Sequence, residues 1–174
     1  MRWCVMLKLS SLEANRLFKS SRFWILIISL LAVGTALPYK ISVTITPSLT
    51  KRVFWINHNP DHVGHGDYVL FTYRNETIAN ILGKKNEDMM KIIGCDEGET
   101  LTVDENKNFY CNGEYLVTAK DRSLKGVPLP KFVYNGEIPA GFMFVMGQHK
   151  DSYDSRYFGL LEKSRVIAKA YPIF

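Results

Sequence analysis

The chain has 174 residues, 47% hydrophobic and 13% aromatic, with 22 Lys and Arg against 17 Asp and Glu. That length holds one domain of ordinary size plus an appendage and excludes a multidomain machine, while the aromatic content excludes a disordered chain. Before residue 23 five bases (Arg2, Lys8, Arg16, Lys19, Arg22) stand against one acid, Glu13, and the remainder is close to neutral, so a nucleic-acid-binding surface on the main body has no support.

Phe23 to Leu37 is an uncharged run of 15 residues, FWILIISLLAVGTAL, between Arg22 and Pro38. As a helix it covers roughly 23 Å, short of the roughly 30 Å of a bilayer's hydrocarbon core. Trp24 and Tyr39 suit the two interfaces, and Arg22 and Lys40 can snorkel outward, so the run predicts a short transmembrane anchor over 23–37. The competing reading is a signal peptide cut near Gly34-Thr35-Ala36; the 22-residue lead and Pro38 speak against it. The bases before the helix place the tail, 1–22, in the cytoplasm and residues 38–174 on the far side, which in a bacterium is the periplasm.

After Pro38 the period changes. Ile41, Val43 and Ile45 alternate with Ser42, Thr44 and Thr46, predicting a half-buried strand. Further strands are expected at Tyr68–Tyr73, Lys91–Ile93, Phe142–Met146 and Val166–Tyr171. Thr100–Val103 and Phe109–Cys111 flank the five polar residues Asp104–Asn108 and read as a hairpin. One helical piece is placed around Ile78–Leu82. Many short strands between Gly and Pro turns predict a mainly β domain, a sandwich or barrel-like arrangement.

His58, His62 and His65, with Asp61 among them, invite a metal reading, but the segment is full of helix breakers and a precise ligand set is missing; a solvated loop is the better reading, with no metal or cofactor expected. Cys4 on the cytoplasmic side is expected to stay reduced. Cys95 and Cys111 flank the hairpin in the oxidising compartment; a disulfide there would contribute about 3 kcal/mol, and two buried thiols are the alternative.

Thr44-Ile-Thr46-Pro47-Ser48-Leu49 ends the first strand, and a serine there gains meaning only with a base and an oxyanion donor. A second block, Ser152-Tyr-Asp154-Ser-Arg156-Tyr-Phe-Gly159, supplies context. With Gly66-Asp67, Lys91-Ile-Ile-Gly-Cys-Asp-Glu-Gly98-Glu99 and Phe-Val-Met-Gly147, the order of blocks resembles the bacterial type I signal peptidase family, most closely its conjugative-transfer, TraF-type branch. The resemblance runs from the anchor through Tyr171. Two departures stand out: the family nucleophile is usually followed by Met and Pro, here Leu49 and Thr50, and its lysine block ends Pro-Gly-Asp, here Glu97-Gly98-Glu99.

The resemblance implies a signal-peptidase-like antiparallel β-sheet domain behind one transmembrane helix, working by a Ser–Lys dyad. Ser48 would be the nucleophile and Lys91 its general base, with Met89, Met90, Ile92 and Ile93 as apolar surroundings that lower its pKa. Ser152 would orient the lysine amine, and Thr46 would join the Ser48 N–H in the oxyanion hole. Asp154 and Arg156 would form a supporting ion pair, and Asp67 a turn. The implied partners are an exported precursor, in the TraF-type branch a conjugative pilin, cut after a small residue, and the inner-membrane lipid. Some members of that branch also join the new pilin ends into a circle. A rival from another class is a non-catalytic, membrane-anchored docking protein of a secretion apparatus.

Overall fold

A computed structural model describes residues 21–44, 48–74 and 86–173. The chain divides into two units, Met1–Lys40 and Ile41–Phe174. In the first, Ser21–Lys40 form one α-helix, α1. Its Ile25, Leu26, Ile28, Leu30, Leu31 and Val33 are 51–69% exposed, so the helix is apolar on several sides and not along one stripe. The helix outlasts Pro38, expected to stop it, by two residues. Among the described residues no helix is long and apolar enough to cross a membrane. The uncharged stretch whose side chains are described, residues 23–35, covers about 20 Å against the roughly 30 Å needed.

The second unit is built from antiparallel strands: β1 (Ile41–Val43), β2 (Val53–Asn57), β3 (Tyr68–Arg74), β4 (Asn86–Cys95), β5 (Thr100–Val103), β6 (Asn108–Cys111), β7 (Glu114–Thr118), β8 (Gly136–Glu137), β9 (Phe142–Met146), β10 (Leu161–Glu162) and β11 (Val166–Pro172). Seven form one sheet, in the order β1-β2-β11-β3-β4-β9-β10; the other four form a second, in the order β7-β6-β5-β8. A single turn of helix, α2 (Ser155–Phe158), follows β9.

Side-chain alternation sorts the core. In β3, Val69, Phe71 and Tyr73 point inward and meet Ile93, Met143, Val145, Tyr153, Tyr157 and Leu161. On another face Met90 joins Leu49, Phe54, Ile56, Ala168 and Ala170. A third cluster fills the space between the small sheet and β9, with Leu101, Phe109, Ile138 and Phe144 around Cys95 and Cys111. Those cysteines form a disulfide joining β4 to β6.

Several expectations change. The candidate strand at Lys91–Ile93 is the middle of a ten-residue strand. Its polar start, Asn86-Glu-Asp88, has no strand signature of its own; seven residues of pairing with β3, from Tyr68↔Ile92 to Arg74↔Asn86, hold it extended. The hairpin loop is one residue shorter than read, because Asn108 joins β6 opposite Thr118. The first strand ends at Val43, and Ile45 lies outside the described residues, as does the helical piece at 78–82. β2, β7, β8 and β10 were not expected: β8 and β10 are two residues long and exist only through their partners β5 and β9.

Candidate active site

β4 carries Lys91 into the protein. With a side-chain period of two, Met89 and Ile93 share its face, and Val69 on β3 stands directly opposite. Met90 and Ile92, read from the sequence as further apolar surroundings, leave by the other face, because neighbours in a strand alternate; Met90 packs with Leu49 and still lines the cleft that Lys91 lines. Lys91 is only 4% exposed. Its Nζ donates to Ser152 Oγ at 2.8 Å. Burial pulls its pKa down from the ordinary lysine 10.5 to about 8, with Asp154 opposing the shift and Arg156 assisting it.

Ser152 belongs to a tightly tied segment. Its N–H donates to His149 O at 3.0 Å, and its own carbonyl accepts from Arg156 Nη2 at 3.0 Å. Asp154 and Arg156, both fully buried, organise this corner. The Asp154 carboxylate accepts from Arg156 Nε and Nη2, each at 2.7 Å, and from the Gly147 N–H at 2.8 Å. Arg156 Nη1 donates to Thr118 O at 2.9 Å, bracing the corner from the small sheet. The ion pair read from the sequence is present, and its reach extends to the backbone on both sides of Ser152.

Ser48 enters from the other side. Its carbonyl accepts from the His149 N–H at 3.2 Å, and Leu49 packs into the cluster with Phe54 and Met90, so Leu in place of the family's Met fills an apolar seat. Thr50, where the family pattern has proline, donates its N–H to Gln148 Oε1 at 2.9 Å. A proline has no N–H to give, so this bond supplies the restraint that the departure removes. Gly147 is required for the close approach: a Cβ there would collide with Ser152 and lie 2.9 Å from Ser48 O. Sequence reading gave no site role to Gly147, Gln148 and His149; Gly147 stood in the block pattern, and the other two had no signal beyond a place just before the Ser152 block.

Ser48, Lys91, Ser152 and His149 line one cleft of about 710 Å³, together with Leu49, Met89 and Tyr153. Thr46 and Pro47 lie outside the described residues. The remaining expected residues sit elsewhere. Asp67 accepts from Gly64 N at 2.9 Å and Lys169 Nζ at 2.6 Å, a turn acid with an ion-pair partner. His65 pairs with Glu99 at 2.7 Å. The one group of possible metal ligands among the described residues is His65, Glu99 and Cys111, and it fails as a metal site because the Cys111 sulfur is in the disulfide. The Glu97-Gly98-Glu99 departure also closes a turn: Gly98 has φ +78°, the Glu99 N–H bonds Asp96 O at 3.1 Å, and Glu99 Oε2 accepts from the Asp96 N–H at 2.7 Å.

A lysine amine held in an apolar enclosure by one serine hydroxyl, in a cleft lined by a second serine, contains the parts of a serine–lysine hydrolase. The chain belongs to the signal peptidase family, peptidase S26, whose sequence profile matches residues 14–174. This is a family of serine peptidases that cleave leader peptides from exported precursors. Among solved structures, a signal peptidase I from Enterococcus faecalis V583 is similar at 20% identity, the match covering 62% of this chain and 96% of that one with a TM-score of 0.37. No curated protein matches the chain.

Proposed function

We propose that this chain is a membrane-anchored serine endopeptidase of the TraF-type branch, which removes the leader from a conjugative pilin precursor at the periplasmic face of the inner membrane. One observation carries the reading: the Lys91 amine is enclosed, bonded to a neutral hydroxyl and held at a pKa of about 8, in the cleft that Ser48 lines. At pH 7 roughly one molecule in ten then has the free amine a base requires, against fewer than one in a thousand for an ordinary lysine.

In the reaction, Ser48 Oγ attacks the scissile carbonyl as its proton passes to Lys91 Nζ. The C–N bond breaks, Lys91 returns that proton to the leaving amine, and an acyl-serine remains. Water then attacks the ester, with Lys91 again taking and returning a proton. Thr46 and the Ser48 N–H are assigned to the oxyanion, Ser152 to orienting the amine, and Asp154 with Arg156 to holding Ser152. β9 pairs with β4 from Ile92 onward, so among the described residues no strand covers that side of Glu87–Lys91. An extended precursor segment can lie along this edge and meet Lys91. The anchor reading is supported by α1, with its exposed apolar side chains and Arg22 and Lys40 near its ends, and by Ser48 following Lys40 after seven intervening residues.

The test is co-expression with a conjugative pilin precursor. Ser48→Ala, Lys91→Met and the double variant should stop leader removal to the same depth, because the pair acts as a unit. Thr46→Val should slow it about 10²-fold. Intact mass separates a linear product from a circular one, lighter by one water. Reporters fused after Phe174 should be active only in forms that require export. Normal maturation with Ser48→Ala overturns the peptidase reading in favour of a docking protein.

A further inference from the structure

Two cavities meet at Ser152. The cleft of about 710 Å³ and a smaller cavity of about 210 Å³ share Leu124, Asp151, Ser152 and Tyr153 as a common wall. The smaller cavity has an apolar inner side, Leu129 and the buried Tyr157, and a basic outer side, Lys120, Arg122 and Lys125. Because Ser152 holds the Lys91 amine, whatever enters the small cavity lies within a few residues of the reacting bond, at about 3.3 Å per extended residue.

The basic side comes from a turn that is already braced. Leu129 N–H bonds Asp121 O at 2.9 Å, Ser123 N–H bonds Val127 O at 2.9 Å, and the Val127 N–H donates to Ser123 Oγ at 3.1 Å. Arg122 Nη1 donates to Gly126 O at 2.8 Å, fixing the guanidinium with donors to spare. The neighbouring acids are occupied: Asp151 is paired with Lys120, and Asp121 is turned to Lys107 at 2.6 Å. Among the described residues no carboxylate forms an ion pair with Arg122 or Lys125, and Asp121, bonded to Lys107, feels Arg122 only at longer range. The other acids of the joined groove, Glu87 and Asp88, line the larger cavity only. Leu124, 80% exposed at the turn, lines both cavities and would be covered by a chain passing between them.

We propose that the small cavity is a specificity subsite that takes an acidic side chain of the precursor, lying within a few residues of the scissile bond. The carboxylate meets Arg122 and Lys125 while its methylenes lie on Leu129 and Tyr157. The proposal rests on the peptidase reading and adds a substrate charge preference to it. Charge-assisted pairs at such a partly exposed site correspond to about a 5–10-fold preference, weakened by salt.

The experiment uses the full chain in detergent micelles and quenched decapeptides of alanine and serine, with one Glu, Gln or Lys placed at each position in turn. The cleavage rate is measured with the wild type, and the affinity for the same peptides with Ser48→Ala. At one position Glu should exceed Gln about 5–10-fold in kcat/KM and in affinity. The preference should vanish in Arg122→Ala/Lys125→Ala and pass to Lys in Arg122→Glu/Lys125→Glu, a gain that a misfolded variant could not show. Cleavage without charge preference, or a preference that survives both loop variants, overturns the subsite and leaves the Ser48–Lys91 reading standing. No cleavage and no charge preference in binding overturns both. Loop variants that lose only affinity for phosphatidylglycerol vesicles would assign the basic side to lipid headgroups and overturn the proposal.

Discussion

Lys91 is buried and Lys163 partly buried, and they end in opposite states. Lys91 meets a serine hydroxyl in an apolar enclosure, and burial carries its pKa down to about 8. Lys163, in the turn between β10 and β11, is also pushed down by burial. Its hydrogen bond to Asp96 Oδ2 at 3.0 Å and its ion pair with Glu97 at 3.1 Å outweigh that and hold the ammonium above the ordinary lysine range. Burial alone therefore does not make a base. Depth and partner act together: the more deeply buried Lys91 bonds a neutral hydroxyl and loses its proton more readily, while the shallower Lys163 has two carboxylates that lock the proton on. The first lysine suits chemistry; the second ties the turn after β4 to the end of the sheet.

The contrast breaks most sharply in activity. Lys91→Met should lower leader cleavage about 10²–10⁴-fold, and Lys163→Met should leave the rate per folded molecule within about 3-fold, measured on purified protein with one precursor. In the wild type the rate should climb with pH and level off above about 8, as the remaining Lys91 ammonium deprotonates. Lys163→Met should keep the same profile. A flat profile would remove Lys91 from the role of base.

Stability extends the comparison to the corner that holds Ser152. Arg156→Met leaves the fully buried Asp154 carboxylate without its cation and should cost about 3–5 kcal/mol in urea unfolding. Lys91→Met should do the reverse. The folded-state pKa lies below the unfolded one, so the unfolded chain binds the extra proton between about pH 8 and 10.5, and wild-type stability rises across that window. At neutral pH the buried ammonium is a penalty, and the variant should be more stable by up to about 3 kcal/mol, the gap closing toward pH 10.5. A destabilised Lys91→Met would show that the amine is held by attraction and not merely tolerated.

Two smaller effects sharpen the picture. Gly147→Ala should cost about 1–3 kcal/mol and most of the activity, since the added methyl drives Ser152 and Ser48 apart. Lys163→Met should lower stability by less than Arg156→Met does, read by the same unfolding, because Asp96 loses a partly exposed partner.

Much of this was legible in residue order. The alternation of Tyr68–Tyr73 and the apolar run Phe142–Met146 carry their period locally and form the expected strands; the uncharged run after Arg22 forms a helix, Ser21–Lys40, which is the part of the anchor expectation that the structure bears on. Ser48, Lys91, Ser152, Asp154 and Arg156 were singled out through a block pattern, because Lys91 in isolation reads as a surface lysine on a strand. Two-residue strands such as β8 and β10 have no local signal, since only their partners define them.

What the sequence by itself determined is which segments alternate and which are apolar throughout, properties that follow from spacing over a few residues, and, through the block pattern, where the candidate site residues fall along the chain. Only the tertiary structure decided that Lys91 is dry and hydrogen-bonded to a hydroxyl 61 positions away, that the His149 N–H meets the Ser48 carbonyl, and that the basic turn at 120–125 borders the same groove. Desolvation is set by every element packed around a group at once. The pKa of a lysine is therefore a property of the closed fold, and no window of the sequence contains it.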